Sequence, residues 1–249
     1  MNKRPIIIHY HFFKNAGTSV DHLLREQFPD RWAAIEADQE GHLTPERVAA
    51  YLEAHPEIVL LSSHTLQLPP PEAPNLNVFP VLFIRHPLDR VRSVYEFERR
   101  QKEDTEGSLQ ARQLDLPQFV EWRLSRKGDF SFRDFQAQRL AVMLPHESQT
   151  DLAARALRGL QRLPYVGLVE AFDASIHSLQ GWLDPVFPGI RLGIAKLNVT
   201  QTSDMTLEER LRGLKEVLGL NLYRELIQEN QVDLEIFRRV AGLYRHLAH

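Results

Sequence analysis

The chain reads as an α/β protein: a central parallel sheet with helices on both faces. Three observations carry this reading. An apolar, β-branched run opens at Ile6 (IIIHYHFF), the pattern of a strand buried on both faces. A second such run, Val81-Leu82-Phe83-Ile84, lies further along, and a turn and an amphipathic segment come after each. Strand and helix patterns then alternate along the chain, which favours parallel pairing and helical cover on both sheet faces.

The elements follow in order. The first strand breaks at Lys14-Asn15-Ala16-Gly17, and Thr18 and Ser19 open a helix. Thr44 is a helix N-cap and Pro45 its first residue, giving a helix through about Ala54. Residues 58–61 (IVLL) form another buried strand. The proline-rich stretch 68–74 is a loop that returns the chain to the strand at 81–84. Pro87 disfavours helix at His86 but suits the first turn of a helix that begins there. Leu88, Val91, Val94 and Tyr95 then recur at helical spacing, while the arginines at 90, 92, 99 and 100 read as a solvated face. Residues 101–114 are polar and read as an exposed, mobile loop. Helices are expected around 117–126, 131–144 and 150–160, and a strand at 166–169. Thr206 and Glu209 form a capping-box pattern for a helix to about 217, with further helix from Leu220 onward. With no internal repeat and no linker, residues 1–249 read as one domain.

Composition narrows the function. Hydrophobic residues make up 43% and charged residues 25%, ordinary values for a chain of 249 residues with a sizeable core. The net charge of −3 argues against wholesale binding to nucleic acid or membrane. Without cysteine there is no disulfide and no thiolate metal site. No run is long and apolar enough to span a bilayer, and the first strand begins almost at once, so a cytoplasmic enzyme is expected.

Two segments point to anions. Helix N-termini expose unpaired N–H groups and carry partial positive charge. At the first turn, Lys14 adds a full charge, Thr18 and Ser19 add hydroxyls, and Gly17 permits close backbone approach; phosphate or sulfate is the natural guest. A nucleoside-triphosphatase loop would read G-x-x-x-x-G-K-[ST]; here the lysine precedes the lone glycine, which fits a metal-dependent kinase poorly. At the second turn, Arg85 ends a strand and Ser93 lies about two helical turns later, so both can face one anion. Two such sites call for a ligand with two separated phosphate-like groups.

At this point the chain resembles the PAPS-dependent sulfotransferases, enzymes that use 3′-phosphoadenosine 5′-phosphosulfate (PAPS). KNAGTS is similar to their 5′-phosphosulfate loop, and LFIRHPLDRVRSVYEF is similar to their 3′-phosphate motif, an Arg-[Asp/His/Asn]-Pro turn with a serine on the next helix. The carbohydrate, Golgi-type branch looks nearest, with its H-x-P-K-T-x-G/S-T-S loop; here Phe13 replaces proline and Asn15 replaces threonine. FRDFQAQRL, YVGLVEAFDASIHSL and the KLNVT segment at 196–200 resemble softer motifs of that branch. The resemblance implies a P-loop-like nucleotide-binding topology. It implies that Lys14, Asn15, Ala16, Gly17, Thr18 and Ser19 hold the phosphosulfate and that Arg85 and Ser93 hold the 3′ phosphate. It also implies a product, adenosine 3′,5′-bisphosphate, and chemistry that needs no metal.

His64 follows the strand at 58–61 and so falls at the same sheet edge as Lys14 and Arg85, where ligands of parallel sheets bind. It matches the catalytic histidine of the hexuronic 2-O- and glucosamine 6-O-sulfotransferases, and its unperturbed pKa suits a general base. The catalytic pair is therefore expected to be Lys14 and His64. His9 and His11 share a strand face, but two ligands without a third carboxylate or cysteine nearby make a weak metal pair. Gln136, Gln138 and Arg139 either orient a ligand or lie on a helix surface. The acceptor stays open among hydroxyl-bearing small molecules, saccharides, lipids and carrier-bound groups. The rival readings are a non-catalytic nucleotide-binding module and a P-loop-like phosphotransferase.

Overall fold

The computed structural model describes residues 3–37, 41–144, 151–193 and 205–245. Strand β1 (Arg4–Tyr10) is the hub of the sheet. It pairs in parallel with β3 (Leu60–Ser63) on one side and with β4 (Leu76–Val81) on the other. A short strand, β2 (Trp32–Ala34), pairs in parallel with β3, giving the order β2-β3-β1-β4. Just beyond β4, the chain re-forms as β5 (Phe83–Ile84) and pairs in parallel with β6 (Gly167–Leu168). The expected strands at 6, 58–61, 81–84 and 166–169 are all present, with shifted ends. Neither β2 nor residues 76–80 of β4 were legible: Trp-Ala-Ala carries no β-branched run, and Asn77 and Pro80 interrupt the apolar pattern of β4.

Alternation along β1 sorts its side chains between two cores. Ile6, Ile8 and Tyr10 join Leu52, Leu140, Ile236 and Tyr244 on one face. That face is covered by α2 (Pro45–Ala54), α6 (Phe135–Ala141), α7 (Leu152–Gln161) and α10 (Gln231–Tyr244). Ile7 joins Val20, Leu24, Ile176 and Leu179 on the other face, beneath α1 (Gly17–Gln27) and α8 (Phe172–Leu183). A third core links α3 (Pro87–Arg100), α4 (Glu106–Gln113), α5 (Leu116–Ser125) and α9 (Leu207–Gln228) around Leu88, Phe119 and Leu222.

Two expectations change here. Residues 106–113 are helix α4 rather than part of a mobile loop: Thr105 Oγ1 caps Ser108 N at 3.1 Å, and Ser108 and Ala111 are small enough to bury against α3 and α5. Arg90 is not solvated. It faces inward from α3 at 1% exposure, its guanidinium lies 4.2 Å from the Phe135 ring centroid, and it donates to Ser131 O. Of the other three arginines, 99 and 100 are exposed and Arg92 is half-buried. The helix opened by Thr206 runs on past 217, broken at Gly219, where φ is 72°. The capping box is present, with Glu209 Oε2 accepting from Thr206 N and Thr206 Oγ1 accepting from Glu209 N. Among the described residues, no helix is long and apolar enough to cross a membrane.

Candidate active site

The carboxyl ends of β1, β2, β3 and β5 open on one side of the sheet, and each delivers a polar residue there. After β1, the chain turns through two left-handed non-glycine residues, Lys14 (φ 63°) and Ala16 (φ 59°). Each such residue costs on the order of 1–2 kcal/mol, and such strain concentrates where function needs it. Left-handed residues beside a helix N-terminus are the backbone pattern of an anion cradle, in which N–H groups turn to one side. Asn15 builds this loop rather than facing out of it: its Nδ2 donates to Phe83 O at 2.7 Å and to Gln136 Oε1 at 2.8 Å, and its N–H donates to Phe12 O. Gly17 admits not a ligand but the His11 ring, since an added Cβ would stand 1.9 Å from His11 Cδ2. Thr18 is exposed and Ser19 half-buried at the start of the helix.

Arg85 closes the cradle from the β5 side. Its Nη1 donates to Lys14 O at 2.9 Å, while Nε and Nη2 donate to Asp89 Oδ2 at 3.0 and 2.7 Å. Asp89 also accepts from Arg210 Nε at 2.8 Å, so one buried carboxylate holds two guanidiniums. Asp89 and Ser93 are one turn apart on α3 and Phe97 lies another turn on, with the Lys14 ammonium 4.8 Å from the Phe97 ring centroid. Burial, together with the charges of Arg85 and Arg100, pushes the Lys14 ammonium below its ordinary pKa, against the pull of Glu96. An anion beside these cations would reverse that effect.

Gln136 ties the two loops together. Fully buried, it accepts from Arg85 N at 2.9 Å and from Asn15, and its Nε2 donates to Arg85 O at 2.9 Å. Asp233 of α10 in turn accepts from Gln136 N and Ala137 N at the start of α6. Gln136 is therefore neither a ligand-orienting nor a surface residue. Arg139 donates to His64 O at 2.8 Å and Leu66 O at 3.0 Å, holding the loop after β3; Gln138 is half-buried.

His64 sits half-exposed at the end of β3. Glu36, just past β2, accepts from both His64 Nδ1 at 2.9 Å and His64 N at 3.0 Å. Its second oxygen accepts from Ser63 Oγ and Thr65 Oγ1 at 2.9 and 3.0 Å. Burial would raise the Glu36 carboxyl, but these bonds hold it below its ordinary range. A carboxylate on Nδ1 leaves Nε2 as the basic nitrogen, the arrangement of an oriented general base. Sequence reasoning missed Glu36 because it missed β2.

The His64 ring packs on His11, with centroids 3.8 Å apart. Behind it lies a buried cluster: His9 Nδ1 is 2.6 Å from Asp21 Oδ1, and His11 Nδ1 is 3.1 Å from Asp21 Oδ2. Burial opposes ionisation of Asp21, but the His9 charge and bonds from His11, His9 and Ser62 hold its carboxyl well below the usual range. The two histidines thus have the third carboxylate that their sequence neighbourhood did not reveal. It comes from the second turn of α1. The KLNVT segment at 196–200 lies outside the described residues.

No family model matches this sequence. The chain is 34% identical over 252 residues to an uncharacterized protein of Archaeoglobus fulgidus, covering 97% of this chain and 98% of that one. The chain belongs to that protein's family. The match runs nearly end to end, so it relates the whole fold rather than one segment.

Proposed function

We propose that this protein is a PAPS-dependent sulfotransferase that moves a sulfuryl group to an acceptor hydroxyl. The observation that carries the reading is the convergence of three separate loops on one sheet edge. Arg85 bonds to the Lys14 loop, and the Glu36-held His64 packs on His11, which in turn closes over Gly17. A parallel sheet with β1 central and a cationic turn into α1 suits a P-loop-like nucleotide fold.

In this reading, the 5′ phosphosulfate lies in the Lys14–Ser19 cradle and the 3′ phosphate against Arg85 and Ser93. Arg85 has five N–H donors, and three are engaged by Asp89 and Lys14 O, leaving two for the phosphate. Asn15 and Gln136 hold the cradle's shape. The acceptor oxygen attacks sulfur in line with the leaving phosphate oxygen, and His64 Nε2 takes its proton. The O–S bond to the acceptor forms as the S–O bond to phosphate breaks, releasing a sulfate ester and adenosine 3′,5′-bisphosphate. Lys14 and the cradle N–H groups stabilise the charge that develops on the leaving phosphate. Positioning of the two substrates supplies the remainder.

The test pairs binding with turnover. Adenosine 3′,5′-bisphosphate at one hundred times its Kd should stabilise the protein by about 2.7 kcal/mol in thermal unfolding. A screen of saccharide, lipid, small-molecule and carrier-bound acceptors with sulfate-labelled PAPS should find one that takes up label. Absence of any thermal shift at millimolar nucleotide would refute the reading. Binding without transfer to any acceptor would favour a non-catalytic nucleotide-binding module, and a strict magnesium requirement would favour a phosphotransferase.

A further inference from the structure

We propose that His9, His11 and Asp21 form a binding site for one transition-metal dication, with zinc as the natural occupant. His9 and His11 stand on the same face at the end of β1, two residues apart, and Asp21 comes from the second turn of α1. Their ligand atoms all lie within 4.8 Å of one another, and all three residues are buried. Ligands on a tetrahedral zinc are bonded at about 2.0–2.2 Å, which spaces them roughly 3.3 Å apart. Asp21 already meets His9 Nδ1 through Oδ1 at 2.6 Å and His11 Nδ1 through Oδ2 at 3.1 Å, so the ion draws in the widest pair, within 4.8 Å, and spreads the closest. Ser62 Oγ, 3.2 Å from His9 Nδ1, supplies a further oxygen beside the same cluster.

The donor set selects for first-row transition dications and against all-oxygen ions. Two imidazoles and one carboxylate suit zinc or cobalt, whereas magnesium prefers an all-oxygen shell with several waters. His9 sits on β1, His11 one residue past its end and Asp21 on α1, and the burial of all three holds the site in place. Arg25 Nη2 stands 3.9 Å from Asp21 Oδ2, at the outer edge of ion-pair distance, with the Arg25 guanidinium lying over the Trp32 ring. On binding, the metal takes the Nδ1 lone pairs, and any proton shared between these rings and the carboxylate leaves to solvent. The ion performs no step of the proposed transfer. It fastens β1 to α1 and fixes the His11 ring on which His64 packs.

Cobalt(II) titration of metal-stripped, folded protein is the test. Wild type should bind one equivalent with visible d–d absorption. Asp21→Asn and His9→Gln should bind at least tenfold more weakly. His22→Gln, which alters an exposed histidine paired with Glu26, should bind like wild type. X-ray absorption on the wild-type cobalt complex should show two imidazole ligands, a readout that needs no variant to fold. A folded wild type with no d–d absorption at millimolar cobalt would overturn the proposal and leave the cluster as a proton-sharing one. Equal binding by Asp21→Asn, or loss in His22→Gln alone, would also overturn it. None of these measurements involves nucleotide, so failure here and failure of the sulfotransferase reading are separable.

Discussion

At the scale of single residues, the candidate site is a set of side chains oriented by partners distant in sequence. Glu36 holds the Nδ1 side of His64 from 28 residues away, and Asp89 and Lys14 O aim Arg85. The variants should therefore separate. Lys14→Ala should weaken nucleotide binding and slow transfer together. His64→Ala should lower the rate roughly 10²–10⁴-fold with nucleotide affinity nearly unchanged. Glu36→Gln should cost rate but less of it, since an amide still accepts from Nδ1 without stabilising the imidazolium. Transfer rates beside nucleotide titrations check all three; wild-type turnover in His64→Ala would remove it as the base. Arg85→Ala should weaken PAPS roughly ten- to a hundredfold and adenosine 5′-phosphosulfate, which lacks the 3′ phosphate, much less. Both ligands suffer equally from any change in the Lys14 loop, so the ratio isolates the phosphate contact. Equal losses would refute the 3′-phosphate assignment.

At the scale of elements, the join between β1 and α1 holds two of the three left-handed non-glycine residues among the described residues. Lys14 and Ala16 adopt left-handed backbone, and Gly17 is pressed against the His11 ring. Gly17→Ala should force that ring aside and destabilise the protein by about 1–3 kcal/mol. Because the clash is with one side chain, His11→Ala should remove most of the penalty in the same background. Thermal unfolding of the two single variants and the double variant gives the coupling. Additive losses would mean that the strain lies in the backbone instead. Helix α4 teaches a related lesson: its polar surface reads as loop, yet a threonine cap and two small buried residues are enough to dock it.

At the scale of the whole molecule, stability depends on a carboxyl group that pairs with no cation among the described residues. Glu170, just past β6, accepts from His86 N at 2.8 Å and so pins the turn after β5, while its Oε2 is buried with no hydrogen-bond partner. Burial pushes its pKa up to about 7 from an ordinary 4.5, against the His86 bond and the Arg85 charge. The folded state then binds more protons than the unfolded state between those values. Its contribution is fully present below about 4.5 and is lost as pH rises through about 7. Glu170→Gln keeps the acceptor and removes the titration. It should gain on the order of 3 kcal/mol relative to wild type at pH 8, with the gain vanishing near pH 4. Chemical denaturation across that range decides; a pH-independent difference would show that the carboxyl is not buried in its ionised form.

The amino-acid sequence by itself determined the strands at 6, 58–61, 81–84 and 166–169, their parallel class, and the sheet edge on which Lys14, His64 and Arg85 fall. These follow from short-range patterns: apolar runs, turn residues and helix caps act over a few positions, and every parallel strand ends on the same side as its neighbours. The tertiary structure alone decided which partners those residues have. Nothing near His64 in the chain announces Glu36, nothing near His9 announces Asp21, and Gln136 reads equally as a ligand-orienting or a surface residue until Asn15, Arg85 and Asp233 surround it. Arg90 reads as solvated until α3 packs and turns it inward. Orientation and charge balance in a buried site are set by groups brought together through space, and their spacing along the chain carries no trace of that meeting.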